Sequence, residues 1–282
     1  MERLPISAFT DDLHDQAIER IASYSVGLIG IDLQDRQEVP TQSGTGTLVD
    51  LDGRLCIVTA DHVIENIARR NRVGLLIDWK GGLRRCAFER EDLHFVRLPR
   101  GPTEDVGPDL GAIMLPPSGE NIATLRAHKS FYNLRKRIDR FDRNYLSLDE
   151  GIWIPCGVLG EGSASLEPTS SFARVTGHWA MMGISSAPQE SVRDGFDYLD
   201  VQAHMGGIDV PRSFGGVSGG GLWQVRIAKH PEGRLEVHEV VLSGVLFYQT
   251  AVVDGTRLLR SHGRASVHER LAAAIRVEIP CP

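Results

Sequence analysis

Short apolar runs separated by turn residues dominate the chain between residues 25 and 249. Runs rich in Val, Ile and Leu occur at 25–33, 44–51, 54–60, 73–79, 110–115, 151–160, 173–183, 196–204, 221–228 and 234–249. Many short strands broken by Gly, Asp and Pro are typical of antiparallel β proteins. Asp52-Gly53 is a turn pair between two such runs and predicts a hairpin. The pattern therefore predicts an all-β barrel or sandwich.

Helical patterns are confined to three segments. Residues 11–22 place two acidic residues before an apolar stripe, which predicts a short amphipathic helix with its acidic end at the positive pole of the helix dipole. Two further helical segments, 118–143 and 261–275, are predicted to interrupt the strand pattern. Residues 266–277, which overlap the second of them, have high helix propensity. The sequence shows no internal repeat and no low-complexity linker.

Charge and composition exclude several classes of protein. The chain has 282 residues, of which 41% are hydrophobic and 24% charged, and its net charge is −6. The composition is typical of a globular protein. The negative net charge argues against general electrostatic binding to nucleic acid or to an anionic membrane. Residues 126–143 are the most basic segment. A solvated surface is the favoured interpretation of this segment, and a docking surface for an acidic partner is the alternative.

The cysteines predict neither a metal site nor a disulfide framework. Their four positions, which have no CxxC or zinc-finger spacing, are Cys56, Cys86, Cys156 and Cys281. The first 20 residues lack a secretory signal pattern, and no later run reaches the ~18–20 apolar residues of a membrane span. We therefore expect a cytoplasmic protein with reduced thiols, in which Cys56 is a small core residue.

A histidine and an aspartate each lie at the end of an apolar strand. His62 follows the run 54–60, which would place an imidazole, able to titrate near neutrality, on a rigid β scaffold. Asp109 opens the run 110–115, a setting that suits a buried carboxylate hydrogen-bonded to an imidazole. Asp105 is a competitor for this role, but no strand follows it directly.

The third motif is a glycine-rich loop that contains Ser218. Residues 213–221 carry so many glycines that a plain strand or helix would lose stability through chain entropy. Such a loop can present a serine hydroxyl while the N–H groups of Gly216 and Ser218 form a pocket for developing negative charge. A phosphate-binding loop is disfavoured because no Lys-Ser or Lys-Thr follows the glycines. A flexible linker is disfavoured because an apolar strand follows at once.

The three motifs TADHV, DLGAIML and GVSGGGL resemble the active-site motifs of the trypsin/chymotrypsin-like serine peptidases. The resemblance spans roughly residues 25–260, and residues 154–161 resemble a strand and turn of bacterial stress-type members. The resemblance implies two six-stranded antiparallel β-barrels with the active site in the cleft between them, plus short N- and C-terminal helices. The domains would be 1–24 (helical extension), 25–118 (first barrel), 119–150 (basic connection), 151–260 (second barrel) and 261–282 (helix and tail).

The resemblance also implies a reaction and roles for three side chains. Ser218 would be the nucleophile, His62 the general base and then acid, and Asp109 the residue that orients and stabilises the imidazolium. The amides of Gly216 and Ser218 would form the oxyanion hole. Peptide bonds of a protein or peptide substrate would be hydrolysed through an acyl-enzyme, with no metal and no cofactor.

The sequence departs from the family pattern directly before the nucleophile. Secreted members have an Asp that pairs with a new N-terminus after proteolytic activation, and here Val217 stands at that position. Activation by N-terminal cleavage is therefore not expected. The departure motivates a second hypothesis, in which an activating protein partner repositions the loop before Ser218.

Substrate specificity is predicted from the residues around the nucleophile. Gly244, Phe247 and Tyr248 belong to the segment that would line the substrate, and Arg212 would lie near the base of the side-chain pocket. An inward Arg212 would favour acidic substrate residues. The preferred interpretation is that Arg212 faces solvent and that Phe247 and Tyr248 shape an apolar site.

The leading hypothesis is a serine endopeptidase, regulated by a partner. The non-enzymatic alternative is a peptidase-fold module that binds proteins and whose three motif residues are catalytically silent. Nucleic-acid binding is the least favoured hypothesis, since the isoelectric point is about 5.9 and no aromatic residues alternate with basic ones.

Overall fold

The structure is a computed structural model, and it describes residues 9–35, 37–77, 86–101, 103, 105–136, 147–166, 174–184, 186–207 and 210–278. About half of these residues form β strands in two sheets, with short helices near both ends. The predicted all-β class, with two antiparallel units and terminal helices, is confirmed. Among the described residues the two sheets contain eight and seven strands, whereas the resemblance implied six in each barrel.

The first helix, α1 (Asp11–Tyr24), is two residues longer than predicted. Thr10 caps its start by accepting a hydrogen bond from the N–H of Leu13 at 3.5 Å, and Asp11 and Asp12 lie in its first turn. Its buried face, which follows the helical period of the sequence, consists of Leu13, Ala17, Ile18, Ile21 and Ala22. This face packs on the core that the helix shares with both sheets.

The first sheet has the strand order β5-β4-β1-β2-β3-β7-β6, with β8 pairing in parallel with β2. Its strands are β1 (Ser25–Gln34), β2 (Gln37–Leu51), β3 (Arg54–Thr59), β4 (Arg72–Leu76), β5 (Ala87–Glu89), β6 (His94–Arg97), β7 (Gly111–Met114) and β8 (Tyr132–Asn133). Helix α2 (Asp61–Ile67) follows β3, and α3 (Glu120–His128) follows β7. The hairpin predicted at Asp52-Gly53 connects β2 to β3.

The second sheet has the strand order β10-β9-β13-β14-β15-β12-β11. Its strands are β9 (Ile152–Leu166), β10 (Arg174–Met181), β11 (Gln189–Arg193), β12 (Phe196–His204), β13 (Gly221–Lys229), β14 (Leu235–Gln249) and β15 (Thr256–His262). A π-helical turn (Ser266–Leu271) and helix α4 (Ala272–Glu278) follow. The last strand therefore occupies the first residues of the segment predicted as helical from 261.

The connecting segment differs from the predicted helix 118–143. Helix α3 ends at His128 because the chain turns back to pair with β2 as β8. Lys129, counted among the basic surface residues, is 7% exposed, and its ammonium donates to the carbonyls of Ala22 and Ser25, at 2.8 Å each. It therefore stabilises the junction of α1 and β1. Arg137, Arg140 and Arg143 lie outside the described residues.

An aromatic cluster connects the two sheets and α1. Tyr24 stacks on Trp223 with ring centroids 5.6 Å apart, and Tyr132 meets both rings edge-on. The Tyr132 hydroxyl also accepts from the N–H of Leu242 at 3.2 Å. Such contacts add specific geometry to the burial of large apolar surface. Cys56 is fully buried beside this core, as predicted, and burial raises the pKa of its thiol to about 12.

Candidate active site

His62 and Asp109 are brought together by the pairing of two strands. Residues Thr59 of β3 and Gly111 of β7 are register partners, so the residues that follow β3 lie beside those that precede β7. The N–H of His62 donates to Asp109 Oδ1 at 2.8 Å, and His62 Nδ1 lies 2.6 Å from Oδ2. A carboxylate on Nδ1 holds the proton on that nitrogen and leaves Nε2 as the basic position.

The Asp109 carboxylate is buried and ionised. Its burial would raise its pKa, but the hydrogen bonds and charge of His62, together with the charge of Arg100, outweigh that effect and hold the pKa of Asp109 below its ordinary value. Asp109 is 2% exposed, whereas the competitor Asp105 is exposed. The site therefore contains a fixed negative charge directed at His62.

A second histidine, which the sequence analysis did not identify, holds the backbone of Asp109. The N–H of Asp109 donates to His262 Nε2 at 2.9 Å, and His262 is fully buried in β15. Its ring lies 4.7 Å from that of Phe247 and 5.1 Å from that of Tyr198. Burial lowers the pKa of His262 to about 4, although the charges of Asp109 and Asp197 act to raise it. His262 is therefore a neutral acceptor near pH 7.

The start of helix α2, which carries His62, is fixed by a buried ion pair. Asp61 is 1% exposed and receives two guanidinium hydrogen bonds from Arg97 of β6, the longer of which measures 2.8 Å. A bidentate pair of this kind restricts both partners geometrically. It fixes the residue directly before His62 to the first sheet.

The loop that carries Ser218 is fastened to both sheets. The Ser218 carbonyl accepts from the N–H of Thr45 in β2 at 2.9 Å, and the Thr45 hydroxyl donates to the Gly216 carbonyl at 2.9 Å. The N–H of Gly219 donates to Leu246 of β14 at 2.7 Å. At Gly219 φ is +85°, and a Cβ there would lie 2.0 Å from the Thr59 hydroxyl, so only glycine fits.

The amides of Gly216 and Ser218 have no acceptor among the described residues. Gly216 has φ +91°, which directs its peptide away from the strand conformation. Buried or half-buried N–H groups normally donate a hydrogen bond. Two N–H groups of one loop that donate none are therefore available to an acceptor on a ligand. Gly216 lines a neighbouring groove that Gln42 and Gly160 also line.

A cleft of about 490 Å3 brings His62, Asp109 and Ser218 to one surface. The Ser218 hydroxyl makes no hydrogen bond to His62 or to any other described residue. His62 has a side-chain exposure of 27%, so its ring is open to a ligand in the cleft. The cleft is thus lined by a hydroxyl, an oriented imidazole and a buried carboxylate.

The predicted substrate-binding residues occupy different positions. Phe247 and Tyr248 line the cleft, whereas Gly244 is buried in β14 and Arg212 is exposed outside the cleft lining. The backbone N–H of Arg212 donates to Glu161 at 3.0 Å. Leu246 and Gln249, from the same predicted segment, also line the cleft, together with Val217. The sequence analysis did not identify two further lining residues, Phe214 and Leu259.

Val217 is buried in apolar surroundings. It is 3% exposed, in a cluster with Phe214, Leu159 and Leu246. A Cβ added to Gly157 of β9 would lie 2.7 Å from its side chain, so strand and loop approach closely. Apolar packing therefore occupies the place where the secreted peptidases that the sequence resembles have a charged residue.

Within the described part of the chain, no helix has the length and apolarity needed to cross a membrane. No family model matches the sequence, and no curated protein matches it. Among solved structures, the chain is similar to an HtrA-type protease, AlgW, with a decapeptide, at 12% identity and a TM-score of 0.48, over 93% of this chain and 67% of that one. The functional assignment therefore depends on the geometry of the cleft.

Proposed function

We propose that this chain is a serine endopeptidase that cleaves peptide bonds through an acyl-enzyme. The observation that carries the proposal is the doubly hydrogen-bonded pair of His62 and Asp109 on the cleft that also holds Ser218. A base oriented by a buried carboxylate and placed beside a serine hydroxyl is the arrangement that nucleophilic acyl transfer requires.

In the proposed reaction, the Ser218 hydroxyl oxygen attacks the substrate carbonyl while His62 Nε2 accepts its proton. Asp109 keeps the proton on Nδ1 and stabilises the imidazolium that forms. The unsatisfied N–H groups of Gly216 and Ser218 would stabilise the oxyanion. His62 then protonates the leaving amine, and a water molecule, activated by His62, hydrolyses the ester of Ser218.

The reacting groups come from both sheets. His62 and Asp109 follow and precede strands of the first sheet, whereas Ser218 directly precedes β13 of the second. We therefore propose that residues 25–118 and 151–260 are the two units that form the site between them.

The proposal is tested by labelling the purified protein with a fluorophosphonate, which reacts with activated serines. We expect labelling of the wild-type chain and its loss in Ser218→Ala, with the fold retained by circular dichroism. Ser191→Ala, which changes an exposed serine on β11, is the matched control and should label normally. Normal labelling of Ser218→Ala would overturn the assignment of the nucleophile.

One observation favours a second candidate, in which a protein partner activates the enzyme. The Ser218 hydroxyl is not hydrogen-bonded to His62 in this structure, although catalytic hydrogen bonds often tighten only when substrate binds. If the folded protein is not labelled, addition of candidate partners should restore labelling. A chain that remains unlabelled with every partner would instead support the non-enzymatic binding module.

A further inference from the structure

The side chain of Gln249 connects the end of β14 to the loop that precedes Ser218. Gln249 at the end of β14 lines the cleft, and its amide group donates to the Ser213 hydroxyl at 3.2 Å. Its Oε1 accepts from the N–H of Phe214 at 3.0 Å and from the guanidinium of Arg257. An acceptor oxygen at the edge of the cleft is therefore held by two donors, one of them cationic.

Arg257 of β15 is not itself in the cleft lining, but it contacts the cleft residue Gln249. It is two residues from Leu259, which lines the cleft, and side chains two apart on a strand share a face. Its Nη1 donates to Gln249, whereas its Nε is buried without a hydrogen-bond partner. No described carboxylate lies within 4.0 Å of its guanidinium.

A neighbouring arginine on the same strand has an acidic partner. Arg260, on the opposite face of β15, makes two hydrogen bonds of 2.8 Å to Asp200. A guanidinium matches a carboxylate with two parallel hydrogen bonds, and a neutral carboxamide offers it only one oxygen and no charge. The guanidinium of Arg257 can therefore still form an ion pair with an anion.

The acidic residues that line the cleft are paired with other residues and not with Arg257. Glu65 accepts from Arg69 at 2.6 Å and from Arg100 at 3.1 Å, and Asp109 is paired with His62. Since the guanidinium of Arg257 is held by an amide alone, an incoming carboxylate would meet a net positive group at the edge of the cleft.

We infer that Arg257, together with Ser213 and the Phe214 amide, binds a substrate carboxylate that displaces the Gln249 oxygen beside Ser218. The inference deepens the proposed peptidase function and rests on it. The carboxylate is that of an Asp or Glu side chain at the cleavage site, or the C-terminal carboxylate of a bound peptide. This assignment differs from the preferred prediction of an apolar site shaped by Phe247 and Tyr248. It gives to Arg257 the acidic preference that an inward Arg212 would have produced.

The experiment measures peptide binding in a Ser218→Ala background, where no turnover occurs. Fluorescent peptides that differ only by Glu or Gln at one position, and only by a C-terminal acid or amide, are titrated by anisotropy. We expect one acid form to bind about tenfold to hundredfold more tightly than its neutral counterpart, as for charge-assisted hydrogen bonds. The position of the effect identifies which carboxylate is bound.

Variants of the proposed anchor decide the outcome. Arg257→Gln should reduce the acid preference to less than twofold, and Arg257→Lys should retain part of it because the charge remains. Gln249→Ala should strengthen acid binding, since the competing oxygen is removed. Arg234→Gln, which removes a charge that is 67% exposed on a distant hairpin, is the control and should change nothing.

The inference is overturned if wild-type binding does not distinguish acid from neutral peptides, or if Arg257→Gln keeps the preference while its circular dichroism is normal. Loss of the preference in Arg212→Gln instead would assign the anchor to that residue. Fluorophosphonate labelling of the chain with Ser218 intact is read separately. Its failure would count against the peptidase and not against the carboxylate site.

Discussion

The buried histidine behind Asp109 should make the protein sensitive to acid well before its carboxylates are protonated. The pKa of His262 is lowered from 6.5 to about 4 in the folded chain, principally by burial. Between these two values the unfolded chain binds a proton that the folded chain does not, so stability is full above about pH 6.5 and falls as the pH decreases toward 4. Asp109, whose folded pKa is lowered below 3.8, contributes its own loss only at lower pH.

The size of the effect follows from the shift. The lowering of the His262 pKa from 6.5 to about 4 corresponds to roughly 3 kcal/mol of unfolding free energy, most of which is lost by pH 4.5. Replacing His262 with Gln removes this titration but also removes the ring contacts with Phe247 and Tyr198. We therefore expect His262→Gln to be less stable than wild type by about 1–3 kcal/mol at pH 7.5.

The measurement is urea unfolding at pH 7.5, 6.5, 5.5 and 4.5, monitored by the fluorescence of the buried Trp153 and Trp223. From pH 7.5 to pH 4.5 wild type should lose about 2–3 kcal/mol relative to His262→Gln, so the difference between them should close or reverse at the lower pH. His238→Gln, at an exposed position of β14, is the matched control for loss of one histidine. Parallel pH curves for wild type and His262→Gln, within about 0.5 kcal/mol, would refute the reasoning.

Three further predictions concern the elements that hold the site. Lys129→Met removes two charge-assisted hydrogen bonds to buried carbonyls, those of Ala22 and Ser25, so the unfolding free energy in urea should decrease by about 2–3 kcal/mol; an unchanged midpoint would contradict this. Val217→Asp places a carboxylate in apolar packing, and fluorophosphonate labelling should fall at least about tenfold, whereas Val217→Ile should retain most of it. Asp109→Asn cannot orient His62 equally well and should slow labelling by roughly 10³–10⁴-fold; a rate near wild type would exclude that role.

The sequence predicted those parts of the candidate site that local chain chemistry determines. His62 and Asp109 adjoin short continuous apolar runs, and the glycines around Ser218 mark a loop of unusual backbone conformation. These features depend on residues within a few positions of each other. The structure accordingly places all three residues on one cleft.

The parts that were missed depend on contacts between distant strands. His262 lies 153 residues from Asp109 in the sequence and at the start of a segment predicted as helical, so nothing local indicated its contact. Gln249 and Arg257 likewise meet across the β14–β15 pairing. The first half of β2 was missed because its residues are polar and include Pro40, yet β1 pairs with it throughout. Hydrogen bonding to β1 therefore stabilises a strand conformation that the composition of this segment does not predict.

The placement of Ser218 relative to His62 is determined where the two sheets meet. Thr45 of β2 accepts from the N–H of Val158 in β9 at 2.8 Å and holds the carbonyls of Gly216 and Ser218 through its hydroxyl and its N–H. These bonds occupy the carbonyl side of the loop and leave the two amides available. A loop that is fixed through its carbonyls is organised before substrate arrives. Under the proposed function, stabilisation of an oxyanion by the two amides would then require no rearrangement of the loop. For the proposed peptidase, activity of the isolated chain would then require a contact that is not formed in this structure, between the Ser218 hydroxyl and His62.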